Sequence, residues 1–221
     1  MLTLVIGNKN YSSWSLRGWL AVKQSGLPFE DIVVPIYDEN WDARRTLPDL
    51  APANGKVPIL WDGDNAVWDS AAIIDYLDAK TGGTRFWPSE PAALALARSM
   101  AAEMHSSFTA LRSQHGMNVR RIYTGIVPSA DVLTDIDRIM QLWAKARALY
   151  GRGGDFLFGD FGAVDIMFAP VVTRLTTYAL PVAPFARGYV DAVTHHPWMQ
   201  DWIAASQEEA WVIDRFERAE V

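Results

Sequence analysis

The sequence predicts an α/β domain followed by an all-helical domain, and three observations carry that prediction. Short β-rich runs alternate with helical ones over residues 1–80, and few strand-like runs appear after residue 90, where apolar residues recur at helical spacing. The third is a proline at the start of a predicted strand, in Lys56-Val57-Pro58-Ile59, which stands eleven residues before Asp69-Ser70 at a helix start. Residues 81–91 hold two glycines and two prolines with little periodicity, and read as the linker to a helical domain over residues 92–221.

In order, Leu2 to Ile6 reads as a strand, Ser15 to Ser25 as a helix and Phe29 to Ile36 as a second strand. Trp41 to Leu50 is irregular and partly helical. Val57 to Trp61 and Ala66 to Trp68 read as strands joined by an Asp62-Gly63-Asp64-Asn65 turn, and Asp69 to Ala79 as a helix. Ala97, Met100, Ala101, Met104, Phe108 and Leu111 predict one long helix from Ala92 to Arg112, and Val132, Ile136, Ile139, Met140 and Trp143 predict another. Gly162 and Asp165 have the spacing of an N-cap box in which glycine supplies no side chain.

Composition removes several function classes. The net charge is −6 without a basic stripe, which argues against a nucleic-acid partner, and no apolar run reaches the ~20 residues of a membrane span. There is no cysteine, so any thiol chemistry uses the substrate's thiol. His105, His115, His195 and His196 lack metal-ligand spacing, and no metal is expected. The N-terminus runs into a strand without a basic flank or long apolar segment, so a cytoplasmic location is expected.

Three local patterns converge on one chemistry. A proline at the start of a strand is often cis, which turns the preceding amide and carbonyl outward where a peptide pairs with them as an added strand; Val57 and Pro58 are that candidate, with Lys56 before them as a candidate partner for a carboxylate of the ligand. Asp69 and Ser70 cap a helix whose free amides and dipole can hold a ligand carboxylate. In Asn10-Tyr11-Ser12-Ser13-Trp14-Ser15-Leu16-Arg17, hydroxyls crowd a helix N-terminus that stabilises an anion such as a thiolate.

Together these motifs resemble the glutathione S-transferase family, and the resemblance covers almost the whole chain. It implies a thioredoxin-like glutathione-binding domain and a helical domain that contributes the electrophile pocket. The Val-Pro and Asp-Ser pairs would hold glutathione as a co-substrate. Serine-type members carry their hydroxyl five residues before an arginine, which points to Ser12 ahead of Arg17, with Ser13 as competitor. Ser12-Ser13-Trp14-Ser15 resembles the Ser-Ser-Cys-Ser of the zeta class, with Trp14 in place of its cysteine. Met104, His105, Phe108, Arg112, Met117 and Asn118 fall where the family builds its electrophile pocket; Trp14 stands at the mouth, and Trp41, Arg44 and Arg45 near the glycine end of glutathione. The implied function is conjugation of the glutathione thiolate to an apolar electrophile by a homodimer, with a glutathione-dependent isomerase or a non-catalytic binding protein as the alternatives.

Overall fold

The computed structural model describes residues 1–218. Four strands, β1 (Leu2–Gly7), β2 (Phe29–Val34), β3 (Ile59–Asp62) and β4 (Asn65–Val67), form one mixed sheet in the order β2-β1-β3-β4. β1 is parallel to β2, Leu2 opposite Phe29, and antiparallel to β3, Val5 opposite Ile59. Its alternation sorts the core: Leu4 and Ile6 join the cluster shared with the helical domain, while Val5 joins a smaller one with Ile36, Trp41, Leu50 and Ile59.

Prolines trim the predicted strands. β2 ends at Val34 because Pro35 follows, and β3 begins at Ile59 because Pro58 has no N–H to give the ladder. The Val57–Pro58 peptide is cis. Helix α1 (Ser13–Ser25) starts two residues before the predicted Ser15, because Ser12 is its N-cap, accepting from the Ser15 N–H. It ends at Gly26, whose φ of 69° suits glycine. Gly18 lets α1 approach the proline: a Cβ there would lie 2.8 Å from Pro58 Cγ. The irregular segment holds a single helical turn, α2 (Trp41–Arg44), and α3 (Ser70–Lys80) follows the sheet with Asp69 as N-cap.

The remaining described elements are helical: α4 (Pro91–Ser106), α5 (Thr109–Gln114), α6 (Ala130–Tyr150), α7 (Ala163–Thr177), α8 (Arg187–Thr194) and α9 (Pro197–Gln207). The long helix expected from Ala92 to Arg112 is two helices. The Ser107 N–H closes on the Glu103 carbonyl, and Phe108 turns into the left-handed region at φ 60°, so α5 leaves in a new direction. Helix α7 is buried along nearly its whole length and packs on α1 and α4, fixing the helical domain to the sheet domain. At its start the Asp165 carboxylate accepts from the Gly162 N–H at 2.9 Å and the Leu157 N–H at 3.2 Å; Gly162 returns no side-chain bond.

Candidate functional site

A cavity of about 1010 Å³ opens between the two domains. The sheet domain contributes the start of α1 (Ser12, Ser13, Trp14), the segment from Ala53 to Pro58, and Trp68 and Asp69 ahead of α3. The helical side contributes Thr109 and Arg112 from α5, Met117 from the loop beyond it, and Arg174 from α7, and Phe216 arrives from the last described turn, Asp214–Phe216.

The first strand and first helix meet through hydroxyls. Ser15 Oγ accepts from the Gly7 N–H at 2.9 Å and lies 2.8 Å from Ser12 Oγ, which also accepts from the Ser15 N–H at 3.3 Å. Ser15 thus ties the end of β1 to the cap of α1, a role its place in the first turn did not suggest. Ser12 is 6% exposed at the cavity wall, and Ser13, the first residue of α1, is half-buried beside it. Trp14 stands half-buried next to both, its ring edge-on to His105 with centroids 5.2 Å apart.

Lys56, Val57 and Pro58 lie together on the wall, preceded by Asn54 and Gly55 in left-handed conformations. Asp69 also lines the cavity, with its carboxylate already engaged: Oδ1 accepts from the Ala71 N–H at 3.0 Å, and Oδ2 lies 3.1 Å from His105 Nε2. Ser70 is fully buried rather than on the wall, and its hydroxyl has no partner among the described residues. Trp41 and Arg45 reach the cavity, whereas Arg44 is held by Asp49 in a two-pronged ion pair of 2.6 and 2.8 Å.

Met104 and Phe108 do not line the cavity. Both belong to the main core, at 0% and 4% exposure: Met104 lies on the buried face of α4, which packs on α7, and beyond the break at Ser107 it is α5 that carries Thr109 and Arg112 to the wall. Asn118 is buried and donates to Glu217 at 2.9 Å. Sequence reasoning missed Tyr37, Trp68, Arg174 and Phe216, all of which line the cavity. An arginine inside the apolar run of α7 was the one available signal, since charge is rarely buried without a reason.

Burial and charge leave their mark on the ionisable groups. Burial, then the neighbouring Arg174 and Arg112, push the Arg17 guanidinium down to about 9. Burial, then Arg112, take Arg174 down to about 10, and burial alone lowers Arg112. No cluster of three or more His, Cys, Asp or Glu side chains suited to a metal occurs among the described residues. No helix among them is long and apolar enough to cross a membrane.

A model of the glutathione S-transferase N-terminal domain matches residues 11–80, and one of the glutathione S-transferase C-terminal domain matches residues 95–205. A dichloromethane dehalogenase from Methylorubrum extorquens is 39% identical over 61 residues, 28% of this chain; the matched stretch spans only 21% of that protein. A stringent starvation protein A homolog from Coxiella burnetii is 26% identical over 188 residues, 84% of this chain and 81% of the relative. A solved glutathione transferase homolog from a Burkholderia strain, with bound glutathione, is similar in fold at a TM-score of 0.68 and 22% identity, covering 94% of this chain and 98% of its own.

Proposed function

The chain belongs to the glutathione S-transferase family, and from that membership we propose that it is a cytoplasmic glutathione transferase that joins the glutathione thiolate to an electrophile bound between its domains. The observation that carries the reading is the convergence of Ser12 and Ser13, the cis Val57–Pro58 loop and Asp69 on one cavity. In this reading the backbone at Val57 pairs with the peptide portion of glutathione. The Asp69–Ser70 end of α3 takes its γ-glutamyl group, and Lys56 and Arg45 take the glycine carboxylate. The thiol then reaches the N-terminus of α1.

Ser12 is assigned to the thiolate. Its hydroxyl hydrogen can turn to the cavity when Ser15 Oγ donates to Ser12 in place of accepting from it, a rotation that the 2.8 Å separation allows. The chain then runs from the Gly7 N–H through Ser15 and Ser12 to sulfur, each donor polarised by the one before it. Lowering a thiol pKa by ~2 units requires ~2.7 kcal/mol, within reach of one charge-assisted hydrogen bond plus the helix dipole. The sulfur attacks the electrophilic carbon and forms the thioether, with positioning supplying much of the acceleration.

The test is the glutathione thiol pKa, read as thiolate absorbance in the binary complex, together with turnover of a generic aryl halide. Ser12→Ala removes the hydrogen bond and leaves the dipole, so it is expected to raise that pKa by ~1.5 units and to cut turnover ~8-fold at pH 7, with a smaller effect on glutathione affinity. Ser13→Ala is expected to do less. An unchanged pKa in Ser12→Ala removes the assignment. Glutathione binding without turnover in the parent favours a non-catalytic member, and turnover of a cis-alkene diacid to its trans isomer favours the isomerase.

A homodimer completes the reading, pairing exposed faces of α3 and α4 that carry small residues, among them Ala72, Ala79, Ala95 and Ala102. Light scattering at micromolar concentration is expected to give about twice the 24.7 kDa chain mass, and a value near the chain mass refutes the dimer.

A further inference from the structure

Three arginines gather where the helical domain closes the cavity, and among the described residues no carboxylate is bonded to them. Arg112 and Arg174 lie on the wall. Arg17 is 1% exposed behind Trp14, and the guanidinium carbons of Arg17 and Arg112 each lie 4.9 Å from the Trp14 ring centroid. Their protein partners are all neutral carbonyls. Arg17 Nε donates to Met167 at 3.0 Å, and its Nη1 is buried without a partner. Arg112 Nη1 donates to the carbonyls of His105 and Ser107, each at 3.1 Å. Arg174 donates through Nε to His115 and through Nη1 to Pro170, each at 2.8 Å.

Among the described residues none of the three belongs to a salt bridge. Asp69, whose carboxylate acts electrostatically on Arg17, is bonded to Ala71 and His105. Buried charges are ordinarily paired, because carbonyls alone do not offset the loss of water. Mutual repulsion adds to the cost, and it acts in the lowered pKa values of Arg17 and Arg174. An anion entering the cavity relieves all three guanidinium groups together. Each planar fork is matched by a carboxylate, and Trp14 offers an apolar face beside it.

We propose that the electrophile accepted by this cavity carries a carboxylate, held by Arg112 and Arg174, with its reactive carbon turned toward the N-terminus of α1. This rests on the transferase reading and narrows its substrate class to electrophiles that carry a carboxylate, in place of the apolar ones expected from the sequence. The carboxylates of glutathione have other partners in that reading, at α3 and at Lys56 and Arg45. The arginines therefore serve the second substrate.

The probes are 4-(chloromethyl)benzoate and its methyl ester, assayed with glutathione. In both, the thiolate sulfur forms a bond to the benzylic carbon as the C–Cl bond breaks, and chloride leaves with the electron pair. After subtraction of the uncatalysed rate, kcat/KM for the acid is expected to exceed that for the ester by at least ~10-fold, and the ratio to collapse toward one in Arg112→Leu. Calorimetric titration with 4-methylbenzoate supplies a readout independent of turnover: saturable binding to the parent and its loss in Arg112→Leu are expected. An ester turned over as well as the acid overturns the carboxylate subsite and leaves the transferase reading intact. If neither chloride is turned over but 4-methylbenzoate binds and Arg112→Leu abolishes it, the transferase reading falls and the anion subsite stands. Absence of 4-methylbenzoate binding to the parent overturns the subsite, as does an acid-to-ester ratio that Arg112→Leu leaves unchanged.

Discussion

Asp69 performs two tasks with one carboxylate: it caps α3 through Ala71, and it faces His105 across the gap between the domains. Ser70 lies behind it, and its buried hydroxyl has no partner among the described residues. Asp69→Ala costs a helix cap worth ~1 kcal/mol and removes an anion from the proposed γ-glutamyl site. Each of Asp69→Ala and Ser70→Ala is expected to weaken glutathione about 10-fold, or ~1.4 kcal/mol, by calorimetry. Unaltered affinity in both variants means that the tripeptide lies elsewhere. These residues were legible in the sequence because their roles are local: a cap is defined by its neighbours within three positions, and a proline by its missing N–H. Arg174 was not, because α7 brings it to the cavity through packing that no short window encodes.

At the scale of the element, the start of α7 orders the helical domain. Burial pushes the Asp165 carboxyl up to about 6, against the backbone N–H groups of Leu157 and Gly162, which hold it down. Glycine at the cap provides no oxygen of its own, so the carboxylate is the side-chain acceptor at this turn. Asp165→Ala leaves one buried and one part-buried donor without it and is expected to cost ~2–4 kcal/mol in urea unfolding. A loss below ~1 kcal/mol would show that water replaces the carboxylate without penalty. The pH sign follows from a folded pKa that is raised. The group's stabilising contribution is complete below its unfolded value near 3.8 and is lost as the pH rises through about 6. The sequence marked this turn through the Gly162–Asp165 spacing. It did not mark the break at Ser107, because the apolar spacing runs on through Phe108 and Leu111 while the backbone at Phe108 turns left-handed.

At the scale of the molecule, the last described residues tie both domains together over the cavity. Tyr11, from the segment leading into α1, donates to Glu217 at 2.6 Å, and Asn118 and Tyr123 of the helical domain donate to the same carboxylate at 2.9 and 3.2 Å. Phe216, next to it, stacks on Tyr11 with centroids 5.9 Å apart and lines the cavity. Burial opposes ionisation of Glu217, but the bonds from Tyr11, Asn118 and Tyr123 prevail, and its carboxyl sits below the ordinary range. A depressed folded pKa gives a contribution that is present above the unfolded value near 4.5 and lost as the pH falls through the folded one. The tie therefore holds at neutral pH and loosens in acid. Glu217→Gln keeps an acceptor and the shape but removes the charge, so it is expected to speed tryptic cleavage after Arg215 and to lower the urea midpoint at pH ~7. The midpoint gap to the parent is expected to narrow toward pH ~3, where the parent's carboxyl is protonated as well. A gap of equal size at both pH values would mean that the carboxylate charge contributes nothing and that Phe216 alone seats the last described residues over the cavity.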